Sequence, residues 1–499
     1  MFVGDWLLKR SMLTPFETAV REAGTGKRWT YEQLNKRAVN LAAYFLKCGI
    51  AAGDRIALKS VNHISYFDFL FACYKIGAIF VPLNWRLSAE ELKYIVADCG
   101  PKLIGIKEEA SNGAQALAER MLKVDSDMYE ELVNEDKTLP IAVSEDEDLS
   151  VLIIYTGGTT GKPKGVVLSR RSLLANSLNT IASWGINNED ITLNYMPMFH
   201  TGGINALTLP ILVAGGTVIY GAHFDAEEAL NYLNHYACTI ALFVPTMYHS
   251  MIASPYFKSA DFPTMKAFLS GGAPCPLEIY KSFKEKGLPF KEGYGLTEAG
   301  PNNFFITPSE AILKAGSVGK PMLLNNVRLF DGEKDIDEAD QVGELLINGE
   351  HTFVGYWKNQ QATNDTLQKG WLHTGDLAKY DHDGYYYIVG RKKDMIISGG
   401  ENIYPIEVEQ VLLSHPSVEE ASVIGIKDEK WGEIVIAFIV ASNPNATKEV
   451  ILNHCKGRLA QYKLPKQIHF IEEMPKTAIG KIDKVKLCSA ALFPPPSIG

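Results

Sequence analysis

Tyr155-Thr156-Gly157-Gly158-Thr159-Thr160-Gly161-Lys162-Pro163-Lys164-Gly165 follows directly on an apolar strand candidate at residues 151–155. Four glycines let backbone N–H groups turn toward an anion, three threonines add hydroxyl donors, and two lysines supply charge. The composition is that of a polyphosphate cradle. It is not a Walker A loop: Pro163 stands where a Ser or Thr should hold magnesium, and Thr156 stands where the first Gly should be.

Outward from this loop, helical and strand patterns alternate. Leu34, Ala38, Leu41, Ala42, Phe45 and Leu46 repeat at helical spacing, Gly49 and Gly53 break the pattern, and Ile56-Ala57-Leu58 reads as a buried strand. The same alternation recurs at residues 66–76 then 78–82, and at 89–97 then 103–106. It predicts an α/β fold with a mostly parallel sheet covered on both faces. Residues 107–148 turn polar and acidic and read as a solvated connector. A second α/β stretch runs to about residue 300, with strand candidates at 217–220, 239–245 and 266–270. From 318 to 389 short alternating strands appear between Gly and Asp turns. The charged step Arg391-Lys392-Lys393-Asp394 marks the domain boundary, giving an N-terminal domain at 1–390, a hinge at 391–393 and a C-terminal domain at 394–499.

Composition narrows the function classes. The 499 residues are 46% hydrophobic and 21% charged, enough to bury large cores, and a net charge of -9 lacks the basic excess that binds a phosphate backbone, so no nucleic-acid partner is expected. Seven scattered cysteines with no Cys-x-x-Cys pair indicate neither a disulfide framework nor a zinc knuckle. The longest apolar runs are near eight residues, far short of the ~20 that span a bilayer, so no membrane span is expected. The first ten residues reverse the order of a secretory signal, and the expected location is cytoplasmic.

Further motifs share the chain with the loop: Tyr294-Gly295-Leu296-Thr297-Glu298, Trp371-Leu372-His373-Thr374-Gly375-Asp376, Gly390-Arg391-Lys392-Lys393-Asp394, Ser398-Gly399-Gly400-Glu401-Asn402 and Pro475-Lys476-Thr477-Ala478-Ile479-Gly480-Lys481. Together and in this order they resemble the signatures of the adenylate-forming (ANL) superfamily, in its acyl-CoA synthetase or fatty-acid–CoA ligase branch. The resemblance spans nearly the whole chain. It implies a large N-terminal domain of two α/β lobes plus a small β-barrel, then a small mobile α+β C-terminal lid domain. The implied activity is an AMP-forming acid–thiol ligase that makes an acyl-adenylate from ATP and transfers the acyl group to coenzyme A.

Activating a carboxylate on an already anionic α-phosphate demands neutralised charge and in-line geometry. The resemblance assigns ATP and AMP binding to Thr156, Gly157, Gly158, Thr159, Thr160, Gly161, Lys164, Gly272, Ala273, Pro274, Gly293, Tyr294, Gly295, Thr297, Asp376, Arg391 and Lys481. Within that set Gly272, Ala273 and Pro274 wall the adenine, Asp376 accepts from the ribose, and Arg391 lies near ribose and phosphates. Lys481 reaches in from the far domain and, with Thr156, Glu298 and His200, makes up the catalytic group; Glu298 holds Mg2+. Met196-Pro197-Met198-Phe199-His200-Thr201-Gly202-Gly203 is similar to the acid-pocket motif, with His200, Gly203, Thr246 and Gly271 as wall candidates. Gly399 and Gly400 flank the CoA channel, Lys393 is the hinge, and Lys484 carries no role.

The motif contains no Asp to pair with a substrate amine, which disfavours an amino acid. A medium- or long-chain fatty acid is the expected substrate, with an aryl acid of the o-succinylbenzoate, cinnamate or benzoate type as runner-up. A stand-alone enzyme loading a carrier protein is a rival without a carrier motif in the chain. A silent nucleotide-binding regulator should lack Lys164, Glu298, Asp376 or Lys481, all of which are present. The expected small-molecule partners are the acid, ATP and coenzyme A, with a homodimer left open.

Overall fold

The computed structural model describes residues 4–110, 120–135, 146–157, 162–443, 446–477 and 482–492. Its first α/β unit grows from the expected alternation. Thr30 caps helix Tyr31–Lys47 by accepting from the Gln33 amide while the Gln33 side chain takes the Thr30 N–H, and Leu34, Ala38, Leu41 and Phe45 bury the apolar stripe. Strands Arg55–Lys59, Ile79–Leu83 and Leu103–Ile106 run parallel, with Ile56 opposite both Phe80 and Leu103. They belong to a seven-stranded sheet in the order Gly355–Tyr356, Lys164–Ser169, Ser150–Thr156, Ile79–Leu83, Arg55–Lys59, Leu103–Ile106, Met121–Lys123.

A second seven-stranded sheet runs Phe290–Glu292, Ala267–Ser270, Ile240–Phe243, Ile191–Asn194, Thr217–Tyr220, Thr18–Glu22, Arg28–Thr30, parallel except at its last pair. Between residues 326 and 391, the strands other than Gly355–Tyr356 form a six-stranded antiparallel sheet. The small C-terminal domain sets strands Val418–Asp428 and Gly432–Ala441 against Ile396–Ser398 and Gln467–Phe470, under helices Pro405–Leu413 and Lys448–Cys455. Among the described residues no helix is long and apolar enough to cross a membrane.

The first sheet also carries a hairpin, and one expectation changes. The loop-bearing strands Ser150–Thr156 and Lys164–Ser169 are antiparallel partners in an otherwise mainly parallel sheet, so the motif joins two arms of a hairpin. The supposed connector at 107–148 contributes strand Met121–Lys123 and helix Asp127–Asn134, whose Leu122, Tyr129 and Val133 enter the core. Its acidity misled the reading because one of its carboxylates answers a buried cation. Arg37, 1% exposed, forks onto Asp68 at 2.9 and 2.8 Å and reaches Glu130 at 3.0 Å, while the Tyr129 hydroxyl donates to Asp68 at 2.7 Å. Burial draws the guanidinium's pKa down, but the two carboxylates outweigh it and raise the value.

Removing one partner of such a pair strands a buried charge. Asp68→Ala should therefore destabilise the fold by about 3–5 kcal/mol, whereas Arg37→Met combined with Asp68→Leu should cost far less, both read from urea unfolding.

Candidate active site

Ser270 and Glu292 end two adjacent parallel strands and lie opposite each other, so the chain leaves both at the carboxyl edge where open α/β sheets take ligands. From the first strand emerge Gly271, Gly272, Ala273 and Pro274, the last three exposed. From the second emerge Gly293, Tyr294, Gly295, Thr297 and Glu298. The Gly293 amide donates to the Ser270 carbonyl at 2.8 Å. Beneath them, Glu292 accepts from the Cys275 amide at 3.0 Å and the Tyr280 hydroxyl at 2.9 Å, which clips the 271–275 loop to the neighbouring strand.

Tyr294 reaches the antiparallel sheet. Its hydroxyl donates to Asp376 at 2.6 Å, and burial, reinforced by that carboxylate, holds the phenol far above its ordinary pKa. The other Asp376 oxygen meets Arg391 Nε at 2.8 Å, the two residues standing opposite each other in strands Trp371–Tyr380 and Tyr386–Arg391. Asp376 is 5% exposed and Arg391 is exposed, so the pair has a dry end and a wet end.

The hairpin sets Thr156 opposite Lys164, with Gly157 at the end of the described strand arm; Gly158, Thr159, Thr160 and Gly161 lie outside the described residues. The Lys164 ammonium stands 4.9 Å over the Tyr356 ring, and the Tyr356 hydroxyl donates to Glu298 Oε1 at 2.8 Å. Tyr356 was missed in the sequence. Its signal is the aromatic pair in Gly355-Tyr356-Trp357-Lys358, which joins the same sheet by pairing Tyr356 with Val166.

Glu298 is half-buried, and among the described residues its second oxygen accepts no hydrogen bond. No cluster of three or more metal-ligating side chains surrounds it among those residues. One carboxylate with a spare oxygen fits Mg2+, which keeps waters and takes its remaining ligands from substrate phosphates.

In the segment expected to line the acid pocket, residues Gly202–Ala206 form a π-helical turn. Gly203 is obligatory, since a Cβ there would lie 2.2 Å from the Pro197 carbonyl oxygen. The Gly202 amide donates to His200 Nδ1 at 3.2 Å. Buried side chains satisfy the carbonyls of the wide turn: Asn194 and Thr208 donate to Gly203, Asn176 to Asn205, and Asn302 to Ala206, at 2.7–2.9 Å. Asn176 and Asn302 lie 29 and 96 residues from the carbonyls they meet, which hid them from sequence reading, whereas Asn194 and Thr208 lie nine and five residues from Gly203. Thr246 is exposed in the first turn of helix Pro245–Ala253, and Gly271 is buried against Leu242.

In the C-terminal domain Gly399 and Gly400 both have positive φ, 62° and 87°, and form the two-residue turn between Ile396–Ser398 and Glu401–Ile403. Lys393 is exposed in a short 3-10 segment, and Lys484 anchors the domain internally by donating to Glu409 and the Val423 carbonyl. Lys481 lies outside the described residues.

Comparison with known proteins places this geometry in context. Residues 9–357 match the AMP-binding enzyme family and residues 407–481 the AMP-binding enzyme C-terminal domain. The chain is 38% identical over 484 residues to a feruloyl-CoA synthase of Amycolatopsis sp, covering 97% of each chain. It is 35% identical over 506 residues to a long-chain-fatty-acid–CoA ligase of Mycobacterium tuberculosis, again at 97% of each. Among solved structures, the Bacillus subtilis o-succinylbenzoate coenzyme A synthetase in complex with ATP and magnesium ion superposes with a TM-score of 0.87 at 29% identity, covering 96% of this chain and 98% of that one.

Burial pushes the Glu292 carboxyl up to about 8, although its two hydrogen-bond donors pull the other way. From its ordinary value of 4.5 upward, the unfolded chain releases a proton that the folded protein keeps, so this carboxyl's contribution to stability is lost as pH rises to about 8. Lys291, drawn down to about 8 by burial, acts only above that window, where stability rises again. Glu292→Gln mimics the neutral acid, and its thermal midpoint should fall clearly less than the wild type's between about pH 5 and about pH 8 in scanning calorimetry.

Proposed function

On the premise that this chain belongs to the AMP-binding enzyme family of adenylate-forming acyl-CoA synthetases and CoA ligases, we propose that it ligates a carboxylic acid to coenzyme A in two steps. A carboxylate oxygen first attacks the α-phosphorus of ATP and expels pyrophosphate, leaving an acyl-adenylate. The CoA sulfur then attacks the acyl carbon, AMP departs, and the thiol proton is released. The observation that carries this reading is that the turn at residues 294–298 links three sheets, through Glu298 to Tyr356 and Lys164 and through Tyr294 to Asp376 and Arg391.

Each group has a part that its surroundings suit. Asp376, fixed at both oxygens by Tyr294 and Arg391, is a rigid acceptor for ribose hydroxyls. Arg391 adds a cation toward the phosphates. Lys164 and the Thr156 hydroxyl face polyphosphate from the hairpin, and the 271–274 loop offers backbone and small side chains to a flat base. Glu298 holds Mg2+, which when bound offsets phosphate charge. Gly399 and Gly400 let the backbone approach a thin pantetheine chain.

For the acid we favour an aryl-substituted one. Support comes from the relatives: the feruloyl-CoA synthase is 38% identical over 97% of each chain, and the o-succinylbenzoate synthetase superposes with a TM-score of 0.87. The fatty-acid expectation is the second reading, carried by the fatty-acyl relative. A pyrophosphate-release screen separates them: substituted cinnamates should exceed every straight-chain acid by about tenfold in kcat/KM, a difference of ~1.4 kcal/mol. A rate that climbs with each added methylene instead assigns the fatty acid. In the same assay Glu298→Gln should lose about 10²-fold or more in adenylation.

The two steps need different surroundings, since adenylation needs a cation at the α-phosphate and thioester formation needs an open thiol channel. We assign the domains as 1–390 and 394–499, turning about Lys393 to exchange them. Proline at 393 blocks the φ change of a hinge. Lys393→Pro should keep first-turnover pyrophosphate release and lose transfer from supplied acyl-adenylate to CoA, while Lys481→Ala should show the reverse. Equal loss of both half-reactions in both variants overturns the alternation.

A further inference from the structure

Strand Phe290–Glu292 buries a cation that the two reaction steps above do not use. Lys291 is 4% exposed, and its ammonium lies 4.1 Å over the Trp184 ring and 5.1 Å over that of Phe305. Two aromatic faces offset part of the cost of its burial. Among the described residues no carboxylate, carbonyl or hydroxyl accepts from it, and burial alone draws its pKa down to about 8. The Trp184 indole N–H is likewise buried with no acceptor among those residues. Two buried donors thus stand together unanswered, an arrangement that folded proteins avoid unless a ligand or a water completes it.

The pair adjoins the segments expected to hold the acid. Leu242, Leu269 and Lys291 stand opposite one another across three parallel strands. Two residues beyond Leu269 and Lys291, and so on the same face of the sheet, come Gly271 and Gly293. A Cβ at Gly271 would meet Leu242 Cδ1 at 3.2 Å and one at Gly293 would meet Leu269 Cδ1 at 3.2 Å, and the nearest atoms all belong to the sheet itself. The edge row is therefore bare, and the row behind it ends in an ammonium. Against this face, Asn176, Thr180 and Trp184 follow at four-residue spacing on helix Arg170–Trp184. The first two serve the π-turn: Asn176 donates to the Asn205 carbonyl, and Thr180 accepts from Asn302, which also donates to the Ala206 carbonyl. Trp184 is one turn further along and meets Lys291.

We propose that Lys291 and Trp184 form the distal end of the acid pocket and bind an acceptor oxygen that the acid carries at the end remote from its reacting carboxylate. The inference rests on the adenylation reading above and sharpens its aryl acid to an oxygen-bearing one. An acid without that oxygen leaves both donors desolvated and unanswered, so the site rejects it more strongly than a purely apolar pocket of the same size would. The shared chemistry is an acceptor oxygen, and its source is either a ring hydroxyl or a second carboxylate.

ATP–pyrophosphate exchange and the rise in thermal midpoint on adding acid, both measured on the full chain, test it. The probes are cinnamate, para-hydroxycinnamate and para-carboxycinnamate, with decanoate against ω-hydroxydecanoate as an aliphatic pair. The oxygen-bearing acid should be preferred by about tenfold or more in kcat/KM. Lys291→Met should bring that preference below about twofold, while its midpoint without acid holds or rises because a buried charge with no counter-charge is gone. A lysine with a structural task only would lower the midpoint and leave the preference intact. Lys291→Arg should retain the preference. Trp184→Phe, which keeps a ring under the ammonium and removes the N–H, should lower it by about threefold. A lead of the hydroxyl over the carboxyl, or the reverse, identifies the source. No preference in the wild type, or an equal one in wild type and Lys291→Met, overturns the subsite and leaves the two donors to water. If the aliphatic pair alone shows a preference that depends on Lys291, the aryl reading fails and the subsite stands. If oxygen-bearing acids raise the midpoint only with Lys291 present, yet no acid supports exchange, the adenylation reading fails and the subsite stands.

Discussion

The Asp376 carboxylate is the point through which the site is held together. It is almost fully buried, and a bare charge there would be costly, so both oxygens must be answered. One answer comes from Tyr294, in the turn after the Phe290–Glu292 strand, and the other from Arg391, at the end of the Tyr386–Arg391 strand. The α/β lobe and the antiparallel sheet are thereby obliged to meet at this carboxylate. Arg391 is also the last residue before the charged step leading to the C-terminal domain. A single desolvated carboxylate thus fixes the relation between the nucleotide turn and the start of that step.

Around that point the same solution recurs: irregular backbone is tolerated because side chains from elsewhere satisfy it. The π-turn at Gly202–Ala206 has wide-spaced carbonyls, and Asn194, Thr208, Asn176 and Asn302 close them from four segments. The 271–275 loop leaves a strand end and is retained by the Glu292 carboxyl, whose raised pKa reflects a group buried for position at a cost in solvation. Elements at the strand ends are therefore rigid without being regular. Precise placement of reacting groups depends on such support.

Charge is distributed locally. The chain is net acidic, yet Lys162, Lys164 and Lys358 line one cleft and Arg391 meets Asp376. Acidic groups with a structural task, such as Asp68 and Glu130 around Arg37, lie in the opposite part of the first sheet's helical cover, where they neutralise a buried guanidinium. Net charge reports on neither arrangement, because local potential is set by which few groups converge.

Local pattern alone determined much of this protein. Periodicity located the helices and strands of residues 31–106 to within three residues at their ends, since one buried face imposes its spacing on the sequence. The Gly, Thr and Lys density of residues 156–165, with the motifs at 294–298, 371–376 and 390–394, was enough to identify the family and the residue types its chemistry uses. Tertiary structure decided what depends on partners distant in the chain. The acidic stretch at 107–148 read as solvated because nothing local tells that Glu130 faces Arg37, 93 residues earlier. Tyr356 reaches Glu298 across 58 positions, Asn302 reaches Ala206 across 96, and Lys358 reaches Asp98 across 260. Sequence specifies which groups can bond, whereas burial and topology specify which do, because a hydrogen bond needs its partner within about 3 Å and only the folded chain provides that distance.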